Sequence, residues 1–164
     1  MKLYFSPGAC SLSPRIALTE AGLPFDTQRV DTKTKEMVGG GDFFSINSKG
    51  YVPALQLDNG EVLTEGPAIV QYIADQKPAS GLAPAAGTVA RYRLQELLNF
   101  ITSEIHKGFS PLFDTTLSAE VKENFKGKLG KRFDWLSTQV TGKQYLMGDQ
   151  FTVADGYLFT TLNW

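Results

Sequence analysis

The sequence predicts a fold in two parts, a mixed α/β first half followed by an all-helical second half. Three observations carry this expectation. Up to about residue 75, short apolar segments alternate with turn residues. From Gln76 to Gly87, the residues Pro78, Gly81, Pro84 and Gly87 punctuate a connector. Beyond it, apolar residues recur at helical spacing.

Leu3–Phe5 and Phe25–Val30 read as strands, and the run Ile16–Ala21 between them, closed by Gly22, reads as a helix. A strand, a helix and a second strand in that order imply a parallel, right-handed βαβ unit. Gly39-Gly40-Gly41 reads as a flexible loop. Ala54–Leu57 and Val62-Leu63 supply a third and a fourth strand, and Asp58-Asn59-Gly60 between them is a hairpin signal that makes the pair antiparallel. Glu65-Gly66-Pro67 then opens a helical run over Ala68–Ile73, with Pro67 suited to the first helical position because its missing N–H costs nothing there.

In the second half, Leu94, Leu97, Leu98, Ile101 and Ile105 form one apolar stripe. Val121, Phe125, Leu129, Phe133, Leu136 and Val140 form another, and both are expected to face a core. Lys122, Lys126, Lys128 and Lys131 fall largely off the second stripe and read as a solvated face. A further helix is announced by Thr152 as N-cap with Asp155 three residues on, an acidic capping box. Phe151 would be half of a hydrophobic staple, but the partner position holds Gly156, so no staple is expected. The chain stops at Trp164, about three turns into this helix, and reads as cut short. The expected division is residues 1–76, a linker over 77–87, and a helical part over 88–164 that is incomplete at its end.

Composition excludes several functions. The 164 residues are 42% hydrophobic and 12% aromatic, enough for one ordinary domain or two small ones. Sixteen basic and seventeen acidic residues leave a net charge of -1, so no field draws in polyanions, and neither nucleic acid nor an anionic membrane is an expected partner. The start, Met1 to Gly8, breaks its apolar run too early for a signal peptide, and no later run is long enough to cross a bilayer. A cytoplasmic protein is expected, and a single cysteine fits a reducing compartment. There is no internal repeat and no low-complexity tract.

The chemistry-bearing residues are few. Cys10 sits in Pro7-Gly8-Ala9-Cys10-Ser11, between a strand and a helix. There it meets free N–H groups and the positive end of the helix dipole, a setting that lowers a thiol pKa. Taken alone, it reads first as a small buried apolar residue, since free cysteines are usually inert. Glu65 and Gly66 stand at a helix start able to cradle a carboxylate, with Glu65 free to take an ammonium group; simple helix-start electrostatics is the other reading of Glu65. Pro53 after Val52 admits a cis bond that would turn the Val52 backbone outward toward an extended peptide. His106, the single histidine, could act on a nearby thiol as a cation or proton shuttle, or be a polar residue near a helix end. One Cys and one His are too few for a metal cluster, so no metal is expected. The serines lack a nucleophile-elbow pattern, and a hydrolase triad is unsupported.

Taken together in order, PGACS, Thr34-Lys35, Asn47-Ser48-Lys49-Gly50, Val52-Pro53-Ala54-Leu55, Leu63-Thr64-Glu65-Gly66, Ala68-Ile69-Val70-Gln71-Tyr72, Leu98-Asn99-Phe100, Glu104-Ile105-His106-Lys107-Gly108 and Phe151–Asp155 resemble the bacterial beta-class glutathione S-transferases from Met1 to Trp164. The resemblance implies a thioredoxin-like N-terminal domain, an all-helical C-terminal domain and a homodimer. It implies that Cys10 lies beside the sulfur of bound glutathione, that Lys35 faces the glycyl carboxylate, and that the Val52 backbone, ahead of Pro53, pairs with the cysteinyl unit. Glu65 and Gly66 would hold the γ-glutamyl end, while Asn99, Ser103, Glu104 and His106 complete the site, some of them from a partner subunit. Cys10, Ser11 and His106 are the expected catalytic residues, and Phe109, Phe113, Tyr157 and Trp164 the expected walls for an apolar electrophile. Tyr51 stands where relatives commonly carry a smaller polar residue, Phe5 replaces a common tyrosine, and Gly156 replaces alanine; none of the three removes a glutathione contact. The resemblance implies a transferase that conjugates glutathione to apolar electrophiles; thiol–disulfide exchange or peroxide reduction through Cys10, and non-catalytic binding of ligands or proteins, are the alternative readings.

Overall fold

The computed structural model describes residues 1–164 and divides into two compact units, Met1–Ala83 and Pro84–Trp164. The first unit holds β1 (Lys2–Phe5), α1 (Leu12–Glu20), β2 (Asp26–Arg29), β3 (Ala54–Gln56), β4 (Val62–Thr64) and α2 (Gly66–Gln76). The four strands form one sheet in the order β2-β1-β3-β4. β1 runs parallel to β2, and β3 is antiparallel to both β1 and β4, with Leu3 opposite Thr27 on one side and Leu55 on the other.

Strand pleat decides which residues reach which face. Tyr4 and Ala54 point to a cluster closed by Val30, Phe43 and Val52. Leu3 and Leu55, one position away, point to the opposite face; α1 and α2 pack on each other and on the sheet, and Leu18, Ile69, Val70 and Ile73 are fully buried. β2 is shorter than the segment read as a strand, Phe25–Val30. Its own residues Asp26–Arg29 are mostly exposed, because it is an edge strand whose two apolar flanks do the burying.

α1 begins four residues before the expected Ile16. Ser13 and Pro14 look like a break in sequence, yet they occupy the first turn, where proline's missing N–H has no partner to lose. The hairpin forms as expected, but only Gly60 takes a positive φ, at 89°. Asn59 instead uses its side chain, accepting the Glu61 N–H at 3.0 Å and donating to the Glu61 carboxylate at 2.7 Å. Gly39, Gly40 and Gly41 all have positive φ, in a turn held by Met37 N–H to the Gly41 carbonyl and Gly40 N–H to the Met37 carbonyl.

The second unit is helical. α3 (Val89–Phe100) runs directly into a π-helical segment, Ile101–His106, and then into α4 (Lys107–Phe113). The hydroxyls of Thr102 and Ser103 bond back to the carbonyls of Leu98 and Asn99, at 2.7 and 3.1 Å, competing with the regular helical donors where the turn widens. Leu94, Leu98, Ile101 and Ile105 of the first stripe are buried as expected.

α5 (Ala119–Val140) corrects the expectation for the second stripe. Only Leu129 and Leu136 are buried, while Val121 and Val140 at the two ends are 40% and 37% exposed. Length explains this: 22 residues span about 33 Å, and the segment 101–113 that α5 packs against covers only about 20 Å of it.

α6 (Val153–Leu162) is buried along most of its length. Its start is pinned by Asp155, which accepts the Thr152 N–H at 2.8 Å, the Thr152 hydroxyl at 2.9 Å and the Leu146 N–H at 2.8 Å. Without a staple partner, the Phe151 ring meets Tyr145 edge-on at 5.6 Å. The helix closes at Leu162, with Asn163 as its C-cap.

Candidate functional site

In the first unit, one loop ties the predicted residues together. Asn47 holds it from within, donating from its side-chain amide to the Tyr51 carbonyl at 2.7 Å. The Cys10 thiol, half-buried just ahead of α1, donates to the Val52 carbonyl at 3.3 Å, an interaction that only the neutral thiol makes. Val52 is joined to Pro53 by a cis peptide bond. Lys35 reaches the Gly50 carbonyl at 2.9 Å with its ammonium 5.6 Å from the centre of the Tyr51 ring, so the unusual Tyr51 covers the lysine. Lys49 pairs with the Glu65 carboxylate and donates to the Thr64 hydroxyl at 2.8 Å.

Lys35 and Glu65 are the two non-glycine residues of the chain with positive φ, at 64° and 68°. Such a backbone costs about 1 kcal/mol or more per residue and persists only where surrounding contacts enforce it, which is most often at a binding or catalytic site. Here both residues flank the loop that also receives Cys10. Glu65 leads straight into Gly66 and Pro67 at the start of α2, where unpaired N–H groups and the helix dipole favour a carboxylate. Ser11 is almost completely buried; its hydroxyl accepts the Ser6 N–H at 3.1 Å and faces the Ser6 carbonyl at 3.2 Å, closing the turn that carries Cys10.

In the second unit, His106 ends the π-helical segment, and its Nδ1 lies 2.6 Å from the Tyr157 hydroxyl on α6. The rings of Tyr157 and Trp164 meet the imidazole edge-on at 5.9 and 4.8 Å. Trp164 also contacts Phe109 and Phe113, at 5.7 and 5.8 Å, so of the four aromatic residues predicted as a wall, Tyr157 and Trp164 meet His106 and the two phenylalanines pack on Trp164. Asn99 and Ser103 are exposed, and Glu104 pairs with Arg132 at 2.5 Å.

Burial first, then the charge of Lys107, holds the His106 pKa below its ordinary value, so the ring is neutral near pH 7. The unfolded chain therefore binds this proton more tightly than the folded one. Stability from this group is complete above about pH 6.5 and declines as pH falls below it. Denaturant unfolding at pH 7.5 and 5.5 should show that decline in the native protein, and His106→Gln should remove most of it; an equal decline in both would contradict it. Asp31 and Asp114, whose pKa values are lowered chiefly by hydrogen bonds from Thr34 and Thr116, act only at lower pH.

Neither Lys49 nor Asn47 has a chemical role that the sequence makes legible. The charge complementarity of Lys49 with Glu65 was the available signal, but nothing in the chain order says that they meet.

A four-stranded mixed sheet bearing such an anion cradle, followed by a helical unit, is the architecture of the glutathione S-transferases. Residues 8–76 match the glutathione S-transferase N-terminal domain and residues 100–164 the C-terminal domain of that family. The chain is 43% identical to glutathione S-transferase GstA of Escherichia coli O157:H7, over all of this chain and 82% of that protein. Among solved structures, it is similar to the ternary complex of BphK, a bacterial glutathione transferase, with a TM-score of 0.97 and 55% identity over all of this chain and 82% of that one. It is also similar to the bacterial beta-class enzyme of Sphingomonas chungbukensis, with a TM-score of 0.96 and 49% identity at the same coverage. The chain belongs to the glutathione S-transferase family, and within it to the bacterial beta class.

Proposed function

We propose that this transferase binds glutathione on its first unit and conjugates the peptide's sulfur to apolar electrophiles. The observation that carries the reading is the strained backbone of Lys35 and Glu65, both flanking the loop on which Cys10 rests. Lys35 takes the glycyl carboxylate, and the Val52 backbone pairs with the cysteinyl unit once the thiol of Cys10 releases its carbonyl. Gly66, at the open start of α2, receives the γ-glutamyl carboxylate, and Glu65 its ammonium. With an aryl halide, the glutathione sulfur attacks the ring carbon, a C–S bond forms, and halide leaves with its bonding pair. The thiol proton passes to water.

His106, with Asn99, Ser103 and Glu104, completes the glutathione site in this reading, and Phe109, Phe113, Tyr157 and Trp164 hold the electrophile. Ser11 supports catalysis by fixing the Cys10 turn. The working form is a homodimer acting in the cytoplasm on foreign electrophiles. Val89 and Tyr92 on α3, both largely exposed, supply apolar surface for such pairing. Thiol–disulfide exchange is a second activity of the same site, favoured by the placement of the only thiol on the peptide-binding carbonyl of Val52.

Steady-state conjugation of an aryl halide tests the reading. Glutathione should react far faster than 2-mercaptoethanol, and Glu65→Gln should raise the KM for glutathione about tenfold with little change in kcat. Equal rates with the two thiols, or an unchanged KM, would contradict it.

A further inference from the structure

We propose that Tyr157 is the positioning residue of His106. Its hydroxyl donates to Nδ1 and holds the neutral imidazole in the Nε2–H form, so that the ring presents one donor, at Nε2. The inference rests on the reading of His106 as part of the reaction site.

Two proton placements satisfy the 2.6 Å contact: the phenol donates to Nδ1, or an Nδ1–H donates to the phenol oxygen. A phenol O–H, with a pKa of about 10, is a stronger donor than the N–H of a neutral imidazole, and the bare ring nitrogen is a stronger acceptor than a phenol oxygen. Strongest donor therefore meets strongest acceptor when Tyr157 donates. The reverse placement is natural to a protonated ring, which burial and the adjacent Lys107 disfavour.

Both partners stand on fixed frames. Tyr157 is buried on α6, whose start is held by the three hydrogen bonds to Asp155. His106 follows the fully buried Ile101 and Ile105 of the π-helical segment, and Trp164 packs edge-on against its ring. The bond therefore forms without newly ordering either side chain, and it selects one tautomer. A ring so fixed can donate from Nε2 to a thiolate or a departing anion, whereas its basic nitrogen is already occupied.

The protein's single histidine makes this directly measurable, because the ring-nitrogen spectrum of the untagged full chain contains only His106. The native protein should show one protonated and one bare nitrogen, the protonated one coupled to both ring carbon protons, as Nε2 is. In Tyr157→Phe the two nitrogen shifts should move toward each other as the tautomers mix. There, kcat for conjugation should fall about tenfold, while the KM for glutathione stays within about twofold. Protonation at Nδ1 in the native protein, or an unchanged nitrogen pattern in Tyr157→Phe, would overturn the proposal. His106→Ala separates it from the reading beneath: full conjugation in that variant, with the nitrogen pattern as expected, removes His106 from the reaction and leaves Tyr157 fixing its tautomer.

Discussion

Asp155→Ala should lower the unfolding free energy by about 3 kcal/mol, the largest stability loss expected from any polar residue of the chain. The carboxylate accepts three hydrogen bonds, two from Thr152 and one from the Leu146 N–H, and thereby joins the start of α6 to the turn before it. Thr152 and Leu146 are both buried, so removing the acceptor strands their N–H groups away from water rather than exchanging one partner for another. Asp155→Asn keeps an acceptor oxygen and should lose about 1 kcal/mol. Urea unfolding checks this through a fall in midpoint at constant slope. A midpoint for Asp155→Ala equal to that of the native protein would show that the cap does not hold the unit together. Because α6 carries Tyr157, the alanine variant should also release His106, and its conjugation rate should fall with its stability.

Cys10→Ala should abolish disulfide exchange with glutathione entirely and leave conjugation within about threefold of the native rate. The attacking sulfur in conjugation belongs to glutathione; Cys10 is its neighbour on the Val52 carbonyl, and losing a neighbour costs less than losing a nucleophile. In exchange, the roles differ. The Cys10 thiolate attacks one sulfur of a glutathione disulfide, a new protein–glutathione S–S bond forms, and a glutathione thiolate leaves. With no second cysteine in the chain, nothing within it can take over that step. Conjugation falling a thousandfold in Cys10→Ala would instead make Cys10 indispensable to both reactions.

Features with a period or a turn code were legible in the sequence. The short apolar runs Leu3–Phe5 and Ala54–Leu57, the Asn59-Gly60 turn and the Thr152…Asp155 cap are local, and local chemistry produced the expected elements. What escaped depends on partners distant in sequence. The ends of α5 lie exposed because its packing partner is shorter, a fact no stripe contains. The π-helical turn carries the same kind of apolar spacing as a regular helix, so no period in the sequence marks it. Lys35 and Glu65 could be named as candidates by charge and resemblance, but their positive φ values could not, since neither is the residue type that usually takes them. Lys49 with Glu65, and Tyr157 with His106, are pairs that only the folded chain brings together.

Whether a glutathione site surrounds the Cys10 thiol is read out by intact mass measurement. The native chain is incubated in parallel with glutathione disulfide and with hydroxyethyl disulfide, a small reagent that needs no binding site. One glutathionyl group per chain should form, much faster than the hydroxyethyl adduct, and S-methylglutathione should suppress it. Equal rates with the two reagents, or modification by hydroxyethyl disulfide alone, would show a thiol that is accessible without a glutathione site around it.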